Sequence, residues 1–272
     1  MSLENITSKE YEKMKKRYEK VLVIPDIHAP YEDYRALHGI YRMINNESFD
    51  KIKIMGDLVD FYALSTFDKN PNRITGLQNE IDVAQYHLGK LRKVFSGEIT
   101  LFEGNHEYRL MKYLKKNPEM SSLTRINNIP SILELNKFGV KYKKNELYKG
   151  ILFKHGNLVR KHSGYTAKGE FENEGTSGIS GHTHRLSSFY VTNRSGYHAW
   201  YEMGHLCDEG LAEYMEGKVA NWQKGFGVLT FDNKLKTWKM EQIPIIKNSF
   251  MYNDKTYSWR VNQKYSSREE LK

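Results

Sequence analysis

The amino-acid sequence predicts an α/β fold in which two sheets pack against each other and helices cover their outer faces. Two patterns support this prediction. In the first half of the chain, short apolar runs rich in β-branched residues alternate with segments whose apolar residues recur at helical spacing. From Val140 onward, short strands follow one another in a meander pattern instead. A third observation is that polar clusters follow several predicted strands, at the sheet edge where α/β proteins keep their ligands.

The first half of the chain predicts three strands separated by helices. The run at 21–24 is continuous and apolar, as expected for a strand buried on both faces. In order, the predicted elements are a strand at 21–24, a helix over 33–46, a strand at 51–55, a helix over 78–95, a strand at 99–102 and helical segments over 107–116 and 121–136. Asn117-Pro118 separates the last two segments, because proline disrupts a helix interior.

The second half of the chain predicts mostly strands. Alternation of apolar and polar residues indicates strands that are each covered on one face. The predicted strands are 140–143, 147–154, 186–192, 197–203, 225–231 and 237–243, with a helix over 165–173. We interpret 21–247 as one domain, preceded by an N-terminal helical extension at 1–20 and followed by a basic C-terminal tail at 248–272.

The composition indicates a soluble protein with an excess of positive charge. Lys and Arg number 42 against 33 Asp and Glu, for a formal net charge of +9. Much of the excess lies in the two flanks, at Lys13, Lys15, Lys16, Arg17, Lys20, Lys255, Arg260, Lys264 and Arg268. Such runs are most often solvated surface, and the alternative interpretation is a surface that contacts nucleic acid.

Cysteine usage and hydropathy predict a cytoplasmic location, in a bacterium or a phage-infected host. Cys207 is the single cysteine, so no internal disulfide can form, which suits a reducing compartment. Residues 1–20 lack the apolar core of a secretory signal. No apolar run approaches the roughly 20 residues needed to span a membrane, so we expect no membrane partner. Nothing in the sequence indicates an oligomeric state.

Five short polar clusters follow strand-like runs and contain ligand types that suit divalent cations. They are Asp26/His28, Asp57/Asp60, Asn105/His106, His155 and His182/His184. Small hard ions such as Mn²⁺ or Fe²⁺ accept carboxylate, imidazole and amide oxygen together, whereas structural zinc sites are usually rich in thiolate. On an extended chain, residues two apart point to the same side, so Asp26 and His28 can reach one site together. His182 and His184 can do the same.

Each cluster alone also has an ordinary structural interpretation. Asp-x-His is a common turn, and the carboxylate of Asp57 could cap a helix. His155 could be a satisfied polar group, and His182 and His184 could face solvent. The succession of all five clusters after strand-like runs favours a shared metal site over these separate explanations.

The same clusters resemble the five sequence blocks of the calcineurin-like metallophosphoesterases. The blocks here read Asp26-x-His28, Gly56-Asp-x-x-Asp60, Gly104-Asn-His-Glu107, His155 and Gly181-His-x-His184, and the match spans residues 21–186. Three further segments resemble a branch of this superfamily found in phages and prophages. They are Gly164-Tyr-Thr-Ala-Lys168, Gly204-x-x-Cys-Asp208 and Asn221-Trp-Gln-x-Gly-Phe226.

The resemblance implies a four-layer α/β/β/α sandwich of two mixed sheets flanked by helices, with two divalent metal ions. We expect Mn²⁺, with Fe, Zn and Ni as alternatives. By position, the first metal would be held by Asp26, His28, Asp57 and His184. Asp57 would bridge to the second metal, whose other ligands would be Asn105, His155 and His182. His106 would be catalytic and oriented by Asp60, a role that agrees with general imidazole–carboxylate chemistry.

The expected reaction is hydrolysis of a phosphodiester in nucleic acid or a nucleotide. A hydroxide bridging the metals would attack phosphorus, and His106 would act as general acid for the leaving oxygen. The first alternative is a phosphomonoesterase acting on a small molecule or phosphoprotein. Protein phosphatases of the superfamily usually continue the second block with Arg-Gly, whereas Phe61 follows Asp60 here. The second alternative is a non-catalytic nucleic-acid-binding module that retains the fold.

Aromatic residues near the predicted site have two interpretations. They are Phe61, Tyr62, Phe67 and Tyr108. Aromatic side chains stack on bases in proteins that bind single-stranded nucleic acid. They equally serve as core or lid packing. Arg109, Arg185 and Lys168 could likewise contact a substrate phosphate or form ordinary salt bridges.

Overall fold

The computed structural model describes residues 16–66, 68–69, 76–123, 125–208, 210 and 220–259. Its strands in chain order are β1 (Tyr18–Ile24), β2 (Lys51–Ile54), β3 (Glu98–Phe102), β4 (Val140–Lys143), β5 (Asn145–Tyr148), β6 (Ile151–Lys154), β7 (Ser177–Ser180), β8 (Leu186–Asn193), β9 (Gly196–Met203), β10 (Gly225–Asp232), β11 (Thr237–Pro244), β12 (Ser249–Tyr252) and β13 (Lys255–Ser258). Its α-helices are α1 (Tyr34–Asn46), α2 (Leu77–Val94), α3 (Glu107–Lys116), α4 (Ile129–Ile132) and α5 (Tyr165–Glu174), and 3₁₀ helices cover Tyr62–Leu64 and Pro118–Ser122.

Two large mixed sheets are formed by these strands. The first has the order β11-β10-β1-β2-β3-β4, and the second has the order β5-β6-β7-β9-β8. Strands β1 to β4 run parallel, and β10 and β11 are antiparallel additions at one side. In the second sheet, β6, β7 and β9 are parallel, while β5 and β8 are antiparallel edge strands.

Strand β1 shows how the layers are arranged. Its apolar residues alternate between two cores, as the period of two in a strand requires. Leu22 and Ile24 pack in a core shared with helices α1, α2 and α3, whereas Val21 and Val23 pack against residues of the second sheet. Helix α5 covers the other face of the second sheet. The predicted four-layer α/β/β/α sandwich is therefore confirmed.

A charged residue is buried between the two sheets. Lys53 of β2 has no exposed surface and forms an ion pair with Glu146 of β5. Its Nζ also lies 5.0 Å from the ring centroid of Phe153. Burial lowers the pKa of Lys53, and the Glu146 carboxylate opposes this shift. The pair links the sheets by charge within an otherwise apolar layer.

The strand predicted over 147–154 is wrong in detail, since the structure has a hairpin of β5 and β6 there. Lys149 and Gly150 connect the strands with φ values of 49° and 81°. Two consecutive residues with positive φ form the tight turn whose twist suits an antiparallel pair. Apolar and polar residues alternate through both strands, so the sequence pattern alone does not reveal the turn between them.

The helix predicted over 121–136 is also wrong. The structure has the 3₁₀ helix Pro118–Ser122 and, later, the short helix α4. Asn128 begins α4, because its side chain accepts a hydrogen bond from the backbone N–H of Ser131 at 2.9 Å. Pro130 lies in the first turn of α4, where its missing N–H costs nothing. The apolar residues of this segment therefore reach the core from separate short turns.

The two ends of the chain differ from the predicted extension and tail where the structure describes them. Strand β1 begins at Tyr18, inside the segment assigned to the extension. Residues 249–258, assigned to the tail, form the hairpin of β12 and β13. Phe250, Tyr252 and Tyr257 of this hairpin are buried in the helix-side core. Residues 1–15 and 260–272 lie outside the described residues. No described helix is both long and apolar enough to cross a membrane.

Candidate metal centre

The five predicted clusters lie at the same end of the sandwich. Each cluster follows the carboxyl end of a strand, namely β1, β2, β3, β6 and β7. Because these strands run parallel within their sheets, their carboxyl ends meet at one edge. The first three clusters come from the first sheet and the last two from the second. The structure thus brings together side chains that are up to 158 residues apart in sequence, from Asp26 to His184.

A first donor group consists of Asp26, His28 and His184. Their ligand atoms lie within 4.8 Å of one another, and all three residues are buried. The two Nε2 atoms of His28 and His184 are 3.0 Å apart. Nε2 of His184 is 3.7 Å from Oδ1 of Asp26. Oδ2 of Asp26 is buried and has no hydrogen-bond partner among the described residues. A buried carboxylate without a donor fits a cation, since an uncompensated buried charge is costly.

A second donor group consists of Asp57, His155 and His182, with Asn105 beside them. The ligand atoms of the first three lie within 4.8 Å of one another. Oδ1 of Asn105 is 2.9 Å from Nε2 of His155 and 2.8 Å from Nδ1 of His182. Asn105 is exposed and His182 half-buried, so this side of the centre opens to solvent.

Asp57 lies between the two donor groups. Its Oδ2 is 3.2 Å from Nε2 of His155 and 3.8 Å from Nε2 of His28. Its Oδ1 accepts a hydrogen bond from the backbone N–H of His106 at 2.9 Å. One carboxylate oxygen is therefore held by the protein, and the other faces both groups.

The orientation of His155 suits a cation ligand. Its Nδ1 lies 2.8 Å from the carbonyl of Met55 and must donate to it, because a carbonyl only accepts. In the neutral ring, the Nε2 lone pair then points at oxygens of Asn105 and Asp57. A cation or a proton must stabilise such an arrangement. Burial opposes protonation, but the nearby carboxylates outweigh burial and raise the pKa of His155 to about 10.

The other ligand candidates respond differently to the same surroundings. Burial and the charge of His155 lower the pKa of His182 to about 4. Burial raises the pKa of Asp26 to about 7, against the opposing charge of His155. Burial also disfavours the charged form of Asp57, yet His106 and His155 hold the pKa of Asp57 well below its ordinary value. Asp57 is therefore charged and His182 neutral, as cation ligands must be, whereas His155 would have to release its proton when a cation binds.

The backbone is strained at four of the ligand candidates. His28, Asp57, His182 and His184 have φ values of 55°, 48°, 71° and 60°. Side chains other than glycine adopt this region rarely, and such conformations persist where the surroundings impose them, often at functional sites. Gly104 has a related role, because a Cβ there would lie 2.1 Å from Oδ1 of Asp57. Only glycine lets the Asn105 loop approach the Asp57 loop this closely.

Glu107 is a positioning residue to which the sequence interpretation assigned no role. Its carboxylate is fully buried and accepts hydrogen bonds from four backbone N–H groups, those of Asp57, Leu58, Val59 and Gly104, at 2.8, 2.9, 3.2 and 2.9 Å. Glu107 thus ties the loop after β2 to the loop after β3. The only sequence signal was its place directly after the Asn-His pair.

His106, the predicted catalytic residue, lies beside the donor groups. Its Nδ1 is 2.7 Å from the backbone carbonyl of Asp60, to which it donates. The Asp60 carboxylate is farther away, with Oδ1 3.6 Å from Nδ1. Nε2 of His106 is 3.8 Å from Oδ2 of Asp57 and therefore faces the centre. Burial disfavours the charged ring, but Asp57 and Asp60 outweigh it, so the pKa of His106 is raised.

Arg109 belongs to the same network. Its Nη1 donates to the Asp60 carbonyl at 2.9 Å and is 3.3 Å from the Asp60 carboxylate. Its Nη2 lies 3.1 Å from Nε2 of His106. The guanidinium is thus held by protein groups next to the catalytic candidate. A spacing of three residues on helix α3 places both side chains on one face.

The aromatic candidates are mainly packing residues. Phe61 is fully buried and Tyr62 is 7% exposed, so neither is available for stacking on a base. Tyr108 is half-buried, with Lys112 and Lys115 near its ring. Phe67 lies outside the described residues. An aromatic residue that does contact the centre is Trp222, whose ring centroid is 4.4 Å from that of His184.

The fold and the site together define a class of protein. The model of the calcineurin-like phosphoesterase family matches residues 19–186. This match covers more than half of the chain, and the chain belongs to the calcineurin-like phosphoesterase family. It is accordingly a metal-dependent phosphoester hydrolase, and the described His and Asp groups can hold divalent metal.

Two relatives from phages are similar along nearly the whole chain. The Gene 54 protein of Mycobacterium phage D29 is 32% identical over 257 residues, which covers 89% of this chain and 99% of the relative. The Gene 54 protein of Mycobacterium phage L5 is 30% identical over 257 residues, with the same coverage.

Solved structures with a similar fold include vacuolar protein sorting 29 from Cryptosporidium parvum, with a TM-score of 0.46, 12% identity and coverage of 88% of this chain and 94% of that chain. Another is nuclease MPE from Pseudomonas putida, with a TM-score of 0.35, 10% identity and coverage of 88% and 87%.

Proposed function

We propose that the protein hydrolyses phosphodiesters of nucleic acid or nucleotides with two divalent cations, preferably Mn²⁺. The first cation would be held by Asp26, His28, Asp57 and His184, and the second by Asp57, Asn105, His155 and His182. The observation that supports this proposal is the pair of donor groups that meet at Oδ2 of Asp57. Mixed carboxylate, imidazole and amide oxygen donors suit Mn²⁺ better than a structural zinc ion.

When bound, the cations supply an activated water and neutralise phosphoryl charge. The protein's own residues position these components. Glu107 and Gly104 hold the two loops in contact. His106 would act as the imidazolium that its raised pKa favours: Nδ1–H stays on the Asp60 carbonyl, and Nε2–H points at the leaving oxygen and gives its proton to it. Arg109 would hold Asp60 in place and lie near the negative charge that develops on the leaving oxygen.

The preference for diesters is supported by charge. A net charge of +9 favours polyanionic substrates, and the centre opens to solvent at Asn105, where a long chain could pass. Phe61 follows Asp60 and is buried, so this position offers no cationic contact for a phosphoprotein. The single cysteine supports a cytoplasmic location, where nucleic acid is available.

A phosphomonoesterase is the second candidate. Arg109 lies 3.1 Å from His106, and a guanidinium in this place could compensate the extra negative charge of a monoester. The non-catalytic alternative is less favoured, because all donor positions expected from the five blocks carry ligand-competent residues.

One assay separates the three candidates. Protein loaded with Mn²⁺ is tested on bis-p-nitrophenyl phosphate, p-nitrophenyl phosphate and labelled single-stranded DNA, beside the matched variant Asp57→Asn. Diester preference together with DNA cleavage supports the proposal, and loss of activity in Asp57→Asn shows that the activity belongs to this site. Monoester preference would favour the phosphatase. If the protein binds DNA but hydrolyses none of the substrates with Mn²⁺, Fe²⁺, Zn²⁺ or Ni²⁺, the result would support the non-catalytic binding module.

A further inference from the structure

A pocket of about 420 Å³ lies next to the metal centre on the first-sheet side. Its wall is formed by the segment after Asn221, by the turn after strand β11 and by the residue after β13. Its lining includes Trp222, Gln223, Lys224, Lys247, Asn248 and Trp259. This volume is in the range of small-molecule sites. None of the proposed ligands or catalytic residues lines it.

Trp222 joins this pocket to the centre. The indole lies against His184, with ring centroids 4.4 Å apart, and against His205 at 5.7 Å. The next residue, Gln223, donates its backbone N–H to the His184 carbonyl at 2.8 Å. Trp222 therefore belongs both to the lining of the pocket and to the surroundings of the proposed cation ligand His184. The Asn221-Trp-Gln motif, which the hydrolytic reaction does not use, is placed here.

Trp259 provides a second aromatic wall. It is held by Gly39 of helix α1, where a Cβ would lie 2.9 Å from Cζ3 of the indole. Phe250 supports it from the hairpin, with ring centroids 6.4 Å apart. The Nε1–H of Trp259 is buried and has no hydrogen-bond partner among the described residues.

Polar and cationic groups complete the pocket. Lys247 is exposed and Asn248 half-buried, in the turn between β11 and β12. Lys224 is neutralised locally, because its Nζ is 2.6 Å from Oδ2 of Asp33. The pocket therefore offers aromatic faces, amide groups and one exposed cation rather than a ring of charges. This chemistry suits a flat heteroaromatic ring attached to an anion.

We propose that this pocket binds a nucleobase of the substrate next to the scissile phosphodiester. The proposal rests on the proposed function and narrows its substrate class to esters that carry a base. Stacking on tryptophan provides affinity for any base, and the amide side chains of Gln223 and Asn248 can contact base edges. A phosphate alone would find little to bind here, since one of the two lysines is already paired.

The test compares two p-nitrophenyl diesters that differ only in having a base. One is the p-nitrophenyl ester of thymidine 5′-phosphate, and the other is its abasic counterpart, the p-nitrophenyl ester of 1,2-dideoxyribose 5-phosphate. We expect a higher kcat/KM for the thymidine ester. Base stacking is worth about 1–3 kcal/mol, so Trp222→Ala and Trp259→Ala should each lower the ratio of the two kcat/KM values by about 5- to 150-fold. General damage to the metal centre would lower both kcat/KM values alike, so it would leave their ratio unchanged.

Two further variants control for the change of side chain. Trp222→Phe keeps an aromatic face and should restore most of the ratio. Trp238→Ala removes a half-buried indole on β11 that packs on Tyr197 and Tyr201, away from the pocket, and should leave the ratio unchanged. An unchanged ratio in both pocket alanine variants would overturn the proposal.

A binding measurement separates failure of the pocket from failure of the proposed reaction. If wild type hydrolyses neither ester, the proposed function fails, and calorimetry then tests the pocket alone. Thymidine 5′-phosphate should bind more tightly than ribose 5-phosphate, and Trp222→Ala should remove this difference. Equal affinity for the two phosphates, or no binding of either, would overturn the nucleobase assignment.

Discussion

At the scale of single residues, the role of His106 can be tested through the leaving group. We expect His106→Asn to lower kcat/KM about 10²- to 10⁴-fold for an alkyl diester, because alkoxide departure needs a proton. The loss should be smaller for bis-p-nitrophenyl phosphate, whose leaving group is already stable as an anion. Steady-state kinetics on both esters measures the difference. His198→Asn, a half-buried histidine on β9, serves as the matched control.

Equal losses on the two esters would contradict a proton-donating role for His106. The imidazole would then act mainly through its position, since its Nε2 lies 3.8 Å from Oδ2 of Asp57. In that case metal affinity should fall in parallel with activity, which a metal titration of the same variant detects.

Glu107 provides a second prediction at the residue scale. In Glu107→Gln the side-chain NH₂ would face backbone N–H groups that now donate to a carboxylate. We expect the free energy of unfolding to fall by about 1–3 kcal/mol, because a buried donor loses its acceptor. Metal affinity should fall about 10- to 100-fold, since the loops that present Asp57 and Asn105 lose their link. Denaturant unfolding and metal titration measure the two effects.

The matched control is Glu172→Gln on helix α5, where Glu172 lies on the exposed face and is 59% exposed. Its free energy of unfolding should stay within about 0.5 kcal/mol of wild type. A Glu107→Gln variant that is as stable as this control, with unchanged metal affinity, would show that the four hydrogen bonds are not needed.

The residues that could be named from sequence are those that belong to short motifs. Asp26, His28, His182 and His184 are recognisable because each pair is two residues apart and follows a strand-like run. The roles of Arg109 and Trp222 depend on contacts across the fold, with Asp60 and His184 respectively. No local pattern contains these contacts, so they could not be predicted.

At the scale of elements, the hairpin of β12 and β13 is part of the core. Phe250 is 2% exposed and packs on Phe226 with ring centroids 4.9 Å apart. We expect Phe250→Ala to lower the free energy of unfolding by about 3–5 kcal/mol. Its neighbour Met251 is 72% exposed, and Met251→Ala should change the free energy by no more than about 0.5 kcal/mol. Equal, small effects in urea unfolding would mean that the hairpin is a dispensable tail.

Elements with strong periodicity were predicted well, and elements defined by turns were not. The buried strand β1 and helix α2 have long or continuous apolar patterns. Helix α4 and the β5–β6 turn depend on Asn128, Lys149 and Gly150, whose local backbone conformations override the apolar pattern. The hairpin at 249–258 was assigned to a basic tail because the flanking lysines and arginines dominate its composition.

At the scale of the whole molecule, several basic flank residues already have partners. Lys16 pairs with Asp50, Arg17 with Asp232 at 2.8 Å and Lys255 with Glu47 at 2.8 Å. Lys20 lies over the ring of Tyr252 at 5.4 Å. These contacts favour the interpretation of the described flank residues as solvated, paired surface. Lys13, Lys15, Arg260, Lys264 and Arg268 lie outside the described residues.

The net charge of +9 still predicts a salt dependence of nucleic-acid binding. The affinity for a single-stranded oligonucleotide should fall about tenfold between roughly 50 and 200 mM salt for every two to three phosphates contacted. The KM for bis-p-nitrophenyl phosphate, a small ester with one charge, should change much less. Fluorescence anisotropy and steady-state kinetics over the same salt series give the comparison. Parallel changes in both would indicate that the positive surface makes no specific contact with a polyanion.

The donors of the candidate centre come from both sheets, so their spacing depends on how one sheet lies over the other. The aromatic rings of Phe102 and Phe153, stacked at the seam between the two sheets with their centroids 6.2 Å apart, help to set that alignment. A substitution deep in the seam can therefore displace His155 relative to Asp57 by a fraction of an ångström. The spacing of the donors is in that sense a property of the protein interior, adjustable at positions that an inspection of the ligands alone would overlook.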